Sequence, residues 1–267
     1  MRVSAPGILT AIAAASLALA GCAARGFVMP TGDGTVEPTL AQAYQASIAS
    51  CADLRSLTAD IALSGRVDGR RVRGKLQVGL TREGGVRIEA VAPFGAPIFT
   101  IAGQADRGTL WLPRSRQVVR AAPAEILDAL TGVSLPPAGL FEIVTACPAP
   151  DDAVVKAERF TKPDLARVSL RSGAEVWWRP GVSPLLPMGG RRAGARFEYR
   201  AFAGDRPRTV RLGAAPAEAG ASRADLSLTL QDVETNVALG EDAFTLAVPD
   251  GATVLTLGEL RQAGVLR

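Results

Sequence analysis

The sequence has 267 residues, of which 48% are hydrophobic and 21% charged, a composition typical of a globular chain with a sizeable core. Basic residues outnumber acidic ones by 30 to 26, but only Lys75, Lys156 and Lys162 are lysines and the arginines are scattered, which argues against nucleic-acid binding. Histidine is absent, which excludes Ser-His and Cys-His catalytic pairs and the commonest zinc ligand, so we expect no enzyme, no metal site and no cofactor.

Residues 1–21 predict a signal peptide. The apolar run over residues 8–20 reaches roughly 20 Å as a helix, too short for the ~30 Å core of a bilayer. It ends in Leu19-Ala-Gly-Cys22, which resembles the lipobox of bacterial lipoproteins; the alternative is an ordinary signal peptide with an incidental cysteine. The resemblance implies lipidation of Cys22. In the proteins that this segment resembles, an aspartate after the cysteine retains the protein at the inner membrane. Ala23 stands at that position here, so the resemblance implies a location at the periplasmic face of the outer membrane.

Residues 22–38 form the lipidated N-terminus that the resemblance implies and a flexible tether, which is predicted because residues 23–38 contain Gly, Pro and Ala without hydrophobic periodicity. We expect one folded domain over residues 39–267. Thr39 followed by Gln42 forms a capping box that predicts a helix, and apolar residues recur on one face of it as far as Leu54.

After residue 57 the hydrophobic period changes to two, which indicates antiparallel strands with one apolar and one wet face. Some of the candidate segments are expected to merge or fail, which leaves about eleven strands. The segments are 61–67, 71–80, 86–90, 98–103, 109–112, 117–120, 154–160, 166–170, 174–178, 196–202, 209–212, 224–230 and 244–248.

Three short helices complete the pattern. Pro123 and Pro136 each suit the first turn of a helix, and these helices end at about Leu130 and residue 146. Thr256, capped by Glu259, opens the last one. The fold class is therefore mainly β with α: an incomplete, half-open antiparallel β-barrel of about eleven strands, lidded by short helices.

The segment from residue 59 to 148 resembles the outer-membrane lipoprotein receptor LolB. The resemblance rests on the strand pair 61–67 and 74–80, on a strand that ends in Pro93-Phe-Gly95, and on the series from Leu130-Thr-Gly through Pro136-Pro to Cys147-Pro. The tail, with Val248-Pro249 and Leu257-Gly-Glu-Leu, is similar to tails of the wider LolA/LolB superfamily.

This resemblance implies an incomplete barrel whose concave apolar face receives lipoprotein acyl chains from a periplasmic LolA-like carrier and helps insert them into the outer membrane. It implies lipid and acyl chains as partners, a monomer, and no nucleotide or metal. The chain departs from the family in its greater length after Pro180, an Ala-rich insertion at 213–222, and Phe94 where the family has leucine. The alternative function is a lipid-tethered envelope sensor or scaffold on the same fold that binds a protein.

We predict a lipid-sized apolar cavity between the sheet and its helices. The alternative is that the same side chains pack in a filled core. For strand 98–103, either of the two alternating sets of side chains could face inward, and we choose the set that contains Phe99 and Ile101. The predicted wall consists of Leu76, Val78, Ile88, Phe99, Ile101 and Leu110, and the predicted lid consists of Ile126, Leu130, Leu140 and Ile143.

Pro93, Phe94 and Gly95 lie between two predicted strands, where prolines and glycine suit a turn better than a strand. An exposed aromatic ring at such a tip could enter the headgroup region of a membrane. The resemblance favours this membrane-insertion loop, because the family carries an apolar residue at this position. The alternative is that Phe94 is buried in the core.

Lipidation would consume Cys22 and leave Cys51 and Cys147 as an even pair in an oxidising compartment, which predicts a disulfide between them. Two buried free thiols are the alternative. For Trp177-Trp178 we expect one ring inside and one at the surface, and Pro184–Met188 is an apolar loop that could rim the cavity, touch the membrane or simply pack.

Overall fold

The computed structural model describes residues 27–92, 97–214 and 224–263. Its strands form one open sheet in the order β1-β8-β9-β10-β11-β12-β13-β14-β2-β3-β4-β5-β6-β7-β15, in which only β7 and β15 pair in parallel. The strands are β1 (Thr35–Val36), β2 (Ser56–Val67), β3 (Arg70–Thr81), β4 (Gly85–Val91), β5 (Phe99–Gln104), β6 (Arg107–Leu112), β7 (Gln117–Ala121), β8 (Val154–Thr161), β9 (Asp164–Leu170), β10 (Glu175–Trp178), β11 (Pro187–Arg192), β12 (Ala195–Ala203), β13 (Arg206–Ala214), β14 (Ala224–Thr235) and β15 (Thr253–Val254).

The predicted fold class, a mainly β protein with a half-open sheet and helices over it, is confirmed. The strand count is wrong, because the described residues form fifteen strands where about eleven were expected. Two of the missed strands, β1 and β15, are two-residue edge strands, too short to show a period of two. The third, β11, contains Gly189 and Gly190, which have no side chains to alternate; a Cβ at Gly190 would collide with the carbonyl oxygen of Glu175.

The predicted strand over residues 244–248 is also wrong. A 3₁₀ turn covers Glu241–Phe244, and residues 245–252 form no strand. Phe244 is buried, with its ring so close to Gly85 that a Cβ there would lie 2.8 Å from two ring carbons. Here an apolar side chain is used to cover the sheet and not to build a strand of it.

In the described part of the chain, four α-helices lie over the sheet: α1 (Thr39–Ser47), α2 (Pro123–Thr131), α3 (Pro137–Thr145) and α4 (Leu257–Ala263). Pro123 opens α2 as predicted, whereas α3 begins one residue later than predicted, at Pro137, with Pro136 as its N-cap. The capping box of α4 is confirmed by hydrogen bonds between Thr256 and Glu259 in both directions. The prediction for α1 needs correction. Pro38, not Thr39, is its N-cap, and the helix ends at Ser47 and gives way to a 3₁₀ turn at Ala49–Cys51.

The second half of the expected tether lies on the sheet. Met29 is buried with Phe160, Leu165 and Trp177, and Thr35–Val36 pairs with the edge of β8. We call residues 27–36 the N-terminal strap. The interpretation of residues 27–38 as free coil is therefore wrong, because a local pattern does not reveal an apolar side chain that packs against a distant strand.

The chain wraps around the β8 edge of the sheet. Consecutive residues of a strand point to opposite faces. Trp177 packs under the strap on the outer face, and Trp178 stacks 5.8 Å from Tyr44 of α1 on the inner face. Both rings are only 1% exposed, so the expectation that one would lie at the surface is wrong. Among the described residues, no helix has the length and hydrophobicity needed to cross a membrane.

Candidate functional site

An apolar cavity of about 100 Å³ lies between the inner face of the sheet and helices α2 and α3. Strands β2, β3, β4, β5, β13 and β14 form its wall, and α2, α3 and the loop between them form its cover. Seven of the ten predicted residues line it: Leu76, Val78, Ile88, Phe99, Ile101, Leu130 and Leu140. The inward parity chosen for Phe99 and Ile101 agrees with this geometry.

Leu110, Ile126 and Ile143 do not line the cavity, so their predicted place in it is corrected. Each is at most 1% exposed, in the same hydrophobic cluster, where it is enclosed by neighbouring side chains. They belong to the filled core beside the cavity.

Sequence reasoning missed the lining residues Ile61, Leu63, Leu80, Leu127, Thr131, Val133, Leu135, Val144, Leu212, Leu226 and Leu228. The sequence shows the alternation of apolar and polar residues in β14, but it does not show where β14 lies in the sheet. Strand β14 pairs with β2 along almost its whole length, far from it in sequence, and this pairing brings Leu226 and Leu228 to the wall.

The chemistry of the cavity is uniform. Among the described lining residues, Thr131 alone has a polar side chain, and its hydroxyl donates to the carbonyl oxygen of Leu127 at 2.7 Å within its own helix. A cavity without free polar groups stays dry and accepts apolar ligands. No cluster of three or more His, Cys, Asp or Glu side chains able to hold a metal occurs in the described part of the chain.

The cavity is smaller in this structure than the ~150 Å³ cavity that accommodates a benzene ring in an engineered protein core. A long acyl chain would enter only if part of the cover moved. Leu76, Leu127 and Leu140 are half-buried while the other aliphatic lining residues between them are buried, so these three mark the rim.

Helix α3 is tied firmly at its C-terminal end. The structure contains the predicted disulfide between Cys51 and Cys147, with 5.4 Å between their Cα atoms. Arg82 donates to the carbonyl oxygens of Cys51 at 2.8 Å, Leu54 at 2.6 Å and Pro148 at 2.8 Å. The disulfide and the guanidinium therefore hold the same two segments together.

Polar contacts fix the middle of α3. The hydroxyl of Tyr199 donates to the carbonyl oxygen of Ile143 at 2.9 Å, and burial raises the pKa of this tyrosine far above its ordinary value. Glu142 forms an ion pair with Arg192 at 2.6 Å. Burial raises the pKa of the Glu142 carboxyl, and the positive charge of Arg192 opposes that rise.

Helix α2 is held more lightly. Its outer side meets α4, where Leu260 is buried and Arg261 forms an ion pair with Asp128 at 3.0 Å. Both members of this pair are partly exposed, and such a pair contributes little, typically below ~1 kcal/mol. The two helices of the cover therefore differ in how strongly they are fixed.

The remaining predicted residues lie elsewhere. Leu185, Leu186 and Pro187 of the apolar loop line a separate pocket of about 50 Å³ near the disulfide and do not rim the main cavity. Cys22 and the loop residues Pro93, Phe94 and Gly95 fall outside the described residues.

Comparison with solved structures identifies the fold. The chain is similar to a LolA superfamily protein from Nitrosomonas europaea, with a TM-score of 0.51 at 15% identity over 77% of this chain and 97% of that one. It is also similar to a DUF1329 family protein from Desulfovibrio piger, with a TM-score of 0.47 at 12% identity over 80% and 98% of the two chains. A third match is an outer membrane lipoprotein-sorting protein domain from Vibrio parahaemolyticus, with a TM-score of 0.45 at 12% identity over 76% and 95%.

No family model and no curated protein sequence matches the chain. The likeness is one of structure. The chain has a fold similar to that of the LolA superfamily protein from Nitrosomonas europaea.

Proposed function

We propose that this chain is an envelope lipoprotein, anchored through Cys22 at the periplasmic face of the outer membrane, that binds acyl chains in the apolar cavity and helps insert lipoproteins into that membrane. The observation that carries the proposal is the cavity itself: eighteen side chains line it, and seventeen of them are apolar. Its proposed partners are lipid, lipoprotein acyl chains and a LolA-like periplasmic carrier, and it works as a monomer like the LolB receptor that the sequence resembles.

An acyl chain is the ligand that suits this cavity. Moving a methylene group from water to an apolar site yields about 0.8 kcal/mol, so a free chain crosses water only at great cost. Exchange between two apolar cavities is nearly neutral, and small differences in packing then set its direction. A receptor of this kind needs no nucleotide.

The test compares two substitutions on strand β4. Ile88 points into the cavity, whereas Val91, three residues later, belongs to the opposite parity and is half-buried. Ile88→Glu should remove the acyl ligand that copurifies with the mature chain, as measured by mass spectrometry of the extracted lipid. Val91→Glu, which introduces the same charge on the other face, should retain it.

Delivery is measured separately. A labelled lipoprotein is presented to liposomes that carry the chain, and its incorporation is followed for the parent and both variants. A folded Ile88→Glu variant that binds and delivers normally would remove this cavity from the mechanism. A parent chain that never carries acyl ligand would favour the scaffold alternative, in which the core is filled and a protein binds outside.

A further inference from the structure

We propose that the outer face of the sheet binds an anionic membrane surface through a patch that we call the basic face: the exposed side chains of Arg66, Arg71, Arg73, Lys75 and Arg196. The proposal rests on the anchor at Cys22 that forms part of the proposed function. It adds to that function a surface for lipid headgroups and an orientation of the fold on the membrane.

The strand register places these residues side by side. Arg196 of β12 pairs with Gly213, Gly213 with Asp225, Asp225 with Arg66, and Arg66 with Arg71 of β3. Partners in adjacent strands share a face. The row crosses five strands, which at ~4.8 Å per step is about 19 Å.

Two more basic residues continue the patch along β3, since Arg73 and Lys75 follow Arg71 at intervals of two. Arg66 and Arg71 are like charges directly opposite each other, an arrangement that destabilises a strand pair. Asp225 is itself a member of the row and pairs with Arg211 at 2.6 Å, and Glu198, beside Arg196, pairs with Arg200 at 3.1 Å. A third acidic residue, Asp68, lies in the turn between β2 and β3.

The opposite half of the same face is acidic. Asp60, Glu89, Asp232 and Glu234 surround an open depression there, with Arg87 paired to Glu89. Asp60 and Arg66 belong to the same strand and face, six residues or about 20 Å apart. The outer face therefore has a charge gradient along its strands, and a negatively charged surface attracts one end and repels the other.

The N-terminal strap begins close to the basic face. The backbone N–H of Phe27 donates to Glu198 Oε1 at 2.8 Å, and its carbonyl oxygen accepts from Arg196 Nη2 at 2.8 Å. The strap is thus fixed beside a member of the basic face. Cys22 precedes Phe27 by five residues, which span at most about 18 Å.

Buried contacts keep the strap in place further along. The Glu158 side chain, which is fully buried, accepts from Arg167 at 2.6 Å and from the backbone N–H of Gly34 at 3.1 Å. Arg167 also donates to the carbonyl oxygen of Gly32 at 3.2 Å. Because the strap does not act as a long tether, the anchor holds the basic face near the headgroups, where charges within a Debye length of ~8 Å interact strongly.

Two exposed lysines test the orientation in one experiment. Lys75 belongs to the basic face, whereas Lys162 lies in the turn between β8 and β9 at the other end of the sheet. The lipidated chain is added to preformed vesicles of phosphatidylcholine, or of equimolar phosphatidylcholine and phosphatidylglycerol. The two vesicle samples are then treated with an amine-acetylating reagent, and the acetylation of Lys75 and Lys162 is measured by mass spectrometry.

On the anionic vesicles, labelling of Lys75 should be at least about fivefold lower than for the chain in a non-ionic detergent. Each Lys or Arg near an anionic surface contributes about 1 kcal/mol, which raises the ratio of membrane-bound to free basic face about fivefold. Labelling of Lys162 should not change, and neutral vesicles should protect Lys75 less. Arg71→Glu/Arg73→Glu should restore labelling of Lys75. The matched control Arg107→Glu/Arg179→Glu changes two exposed arginines at the other end and should not restore it.

Equal labelling of Lys75 and Lys162 on anionic vesicles would overturn the proposal while leaving acyl binding untouched. Protection of Lys75 in whole envelopes but not on anionic vesicles would also overturn it, because the face would then bind a protein. A chain that fails to remain on vesicles of either composition would overturn both the anchor and this orientation.

Discussion

Removal of the Cys51–Cys147 disulfide should destabilise the protein strongly without changing its fold. The bond closes a loop with a sequence separation of 96 residues. In the chain-entropy treatment the loss of such a cross-link frees the unfolded chain, and for this loop the stabilisation lost is about 4.7 kcal/mol at 25 °C. The folded state should persist because Arg82 still joins the same segments through three backbone carbonyls.

This loss is large enough to measure by two routes. For a chain of this size, 1 kcal/mol corresponds to a change of about 2–4 °C in melting temperature, so the expected decrease is on the order of 10 °C or more. The urea midpoint of the oxidised mature chain is compared with that of the reduced chain and of Cys51→Ala/Cys147→Ala. The single variant Cys51→Ala is the control, since it removes the cross-link but keeps the fully buried Cys147.

The reasoning requires the single and double variants to lose nearly the same stability. Equal urea midpoints for the oxidised and reduced chains would refute the entropic argument. Two titratable thiols in the denatured, unreduced mature chain would show that the pair is not bonded at all, which is the alternative that the sequence left open.

Three further substitutions give separate readouts. Phe94→Glu should leave the melting temperature and acyl binding unchanged and block incorporation of a labelled lipoprotein into liposomes, whereas a large fall in melting temperature would place Phe94 in the core. Asp128→Ala removes an exposed ion pair and should cost less than ~1 kcal/mol while accelerating acyl uptake, and unaltered uptake kinetics would argue against movement of α2. Glu158→Gln breaks a buried ion pair and should cost about 3 kcal/mol at neutral pH. Burial alone would raise the pKa of Glu158, but hydrogen bonds from Lys156 and Arg167 hold it below its ordinary value. The stability of the parent that depends on this charge is therefore present above the unfolded-state pKa and is lost as pH falls through the folded-state pKa. The gap in urea midpoint between parent and variant should close in that acid range, and a gap independent of pH would contradict the assignment.

Local chemistry predicted the elements well where the chain follows a single rule. The predicted segments 61–67 and 71–80 lie within the paired strands β2 and β3, and prolines mark the first turns of α2 and α3. An alternation of apolar and polar residues arises whenever one face of a strand is buried, whichever strands lie beside it. A proline suits the first turn of a helix because of its own backbone geometry. These signals survive because no distant residue is required to produce them.

The errors arise where a distant segment decides the outcome. Trp177 is buried by the strap, and Trp178 is buried by α1, so a strand expected to have a wet face has none. The wall formed by Leu226 and Leu228 depends on the pairing of β14 with β2. Strand order is a property of the whole chain, and alternation within one strand carries no information about its neighbours.

The unequal fixing of the two covering helices determines how an acyl chain can enter. Helix α3 is held by the disulfide, by Arg82 and by Tyr199, whereas α2 is held from outside only by its contacts with α4 among the described residues. Displacing α2 would uncover the buried side chains of Ile126 and Leu130, at about 1.5–3 kcal/mol each or roughly 3–6 kcal/mol together, and the half-buried Leu127 would add less than either. An acyl chain that comes from the apolar cavity of a carrier does not pass through water, so its transfer is nearly neutral, and once bound it covers the same side chains again. The free energy spent on displacing α2 is therefore recovered on binding, which is why a small apolar cavity is compatible with binding a long chain without an external source of energy.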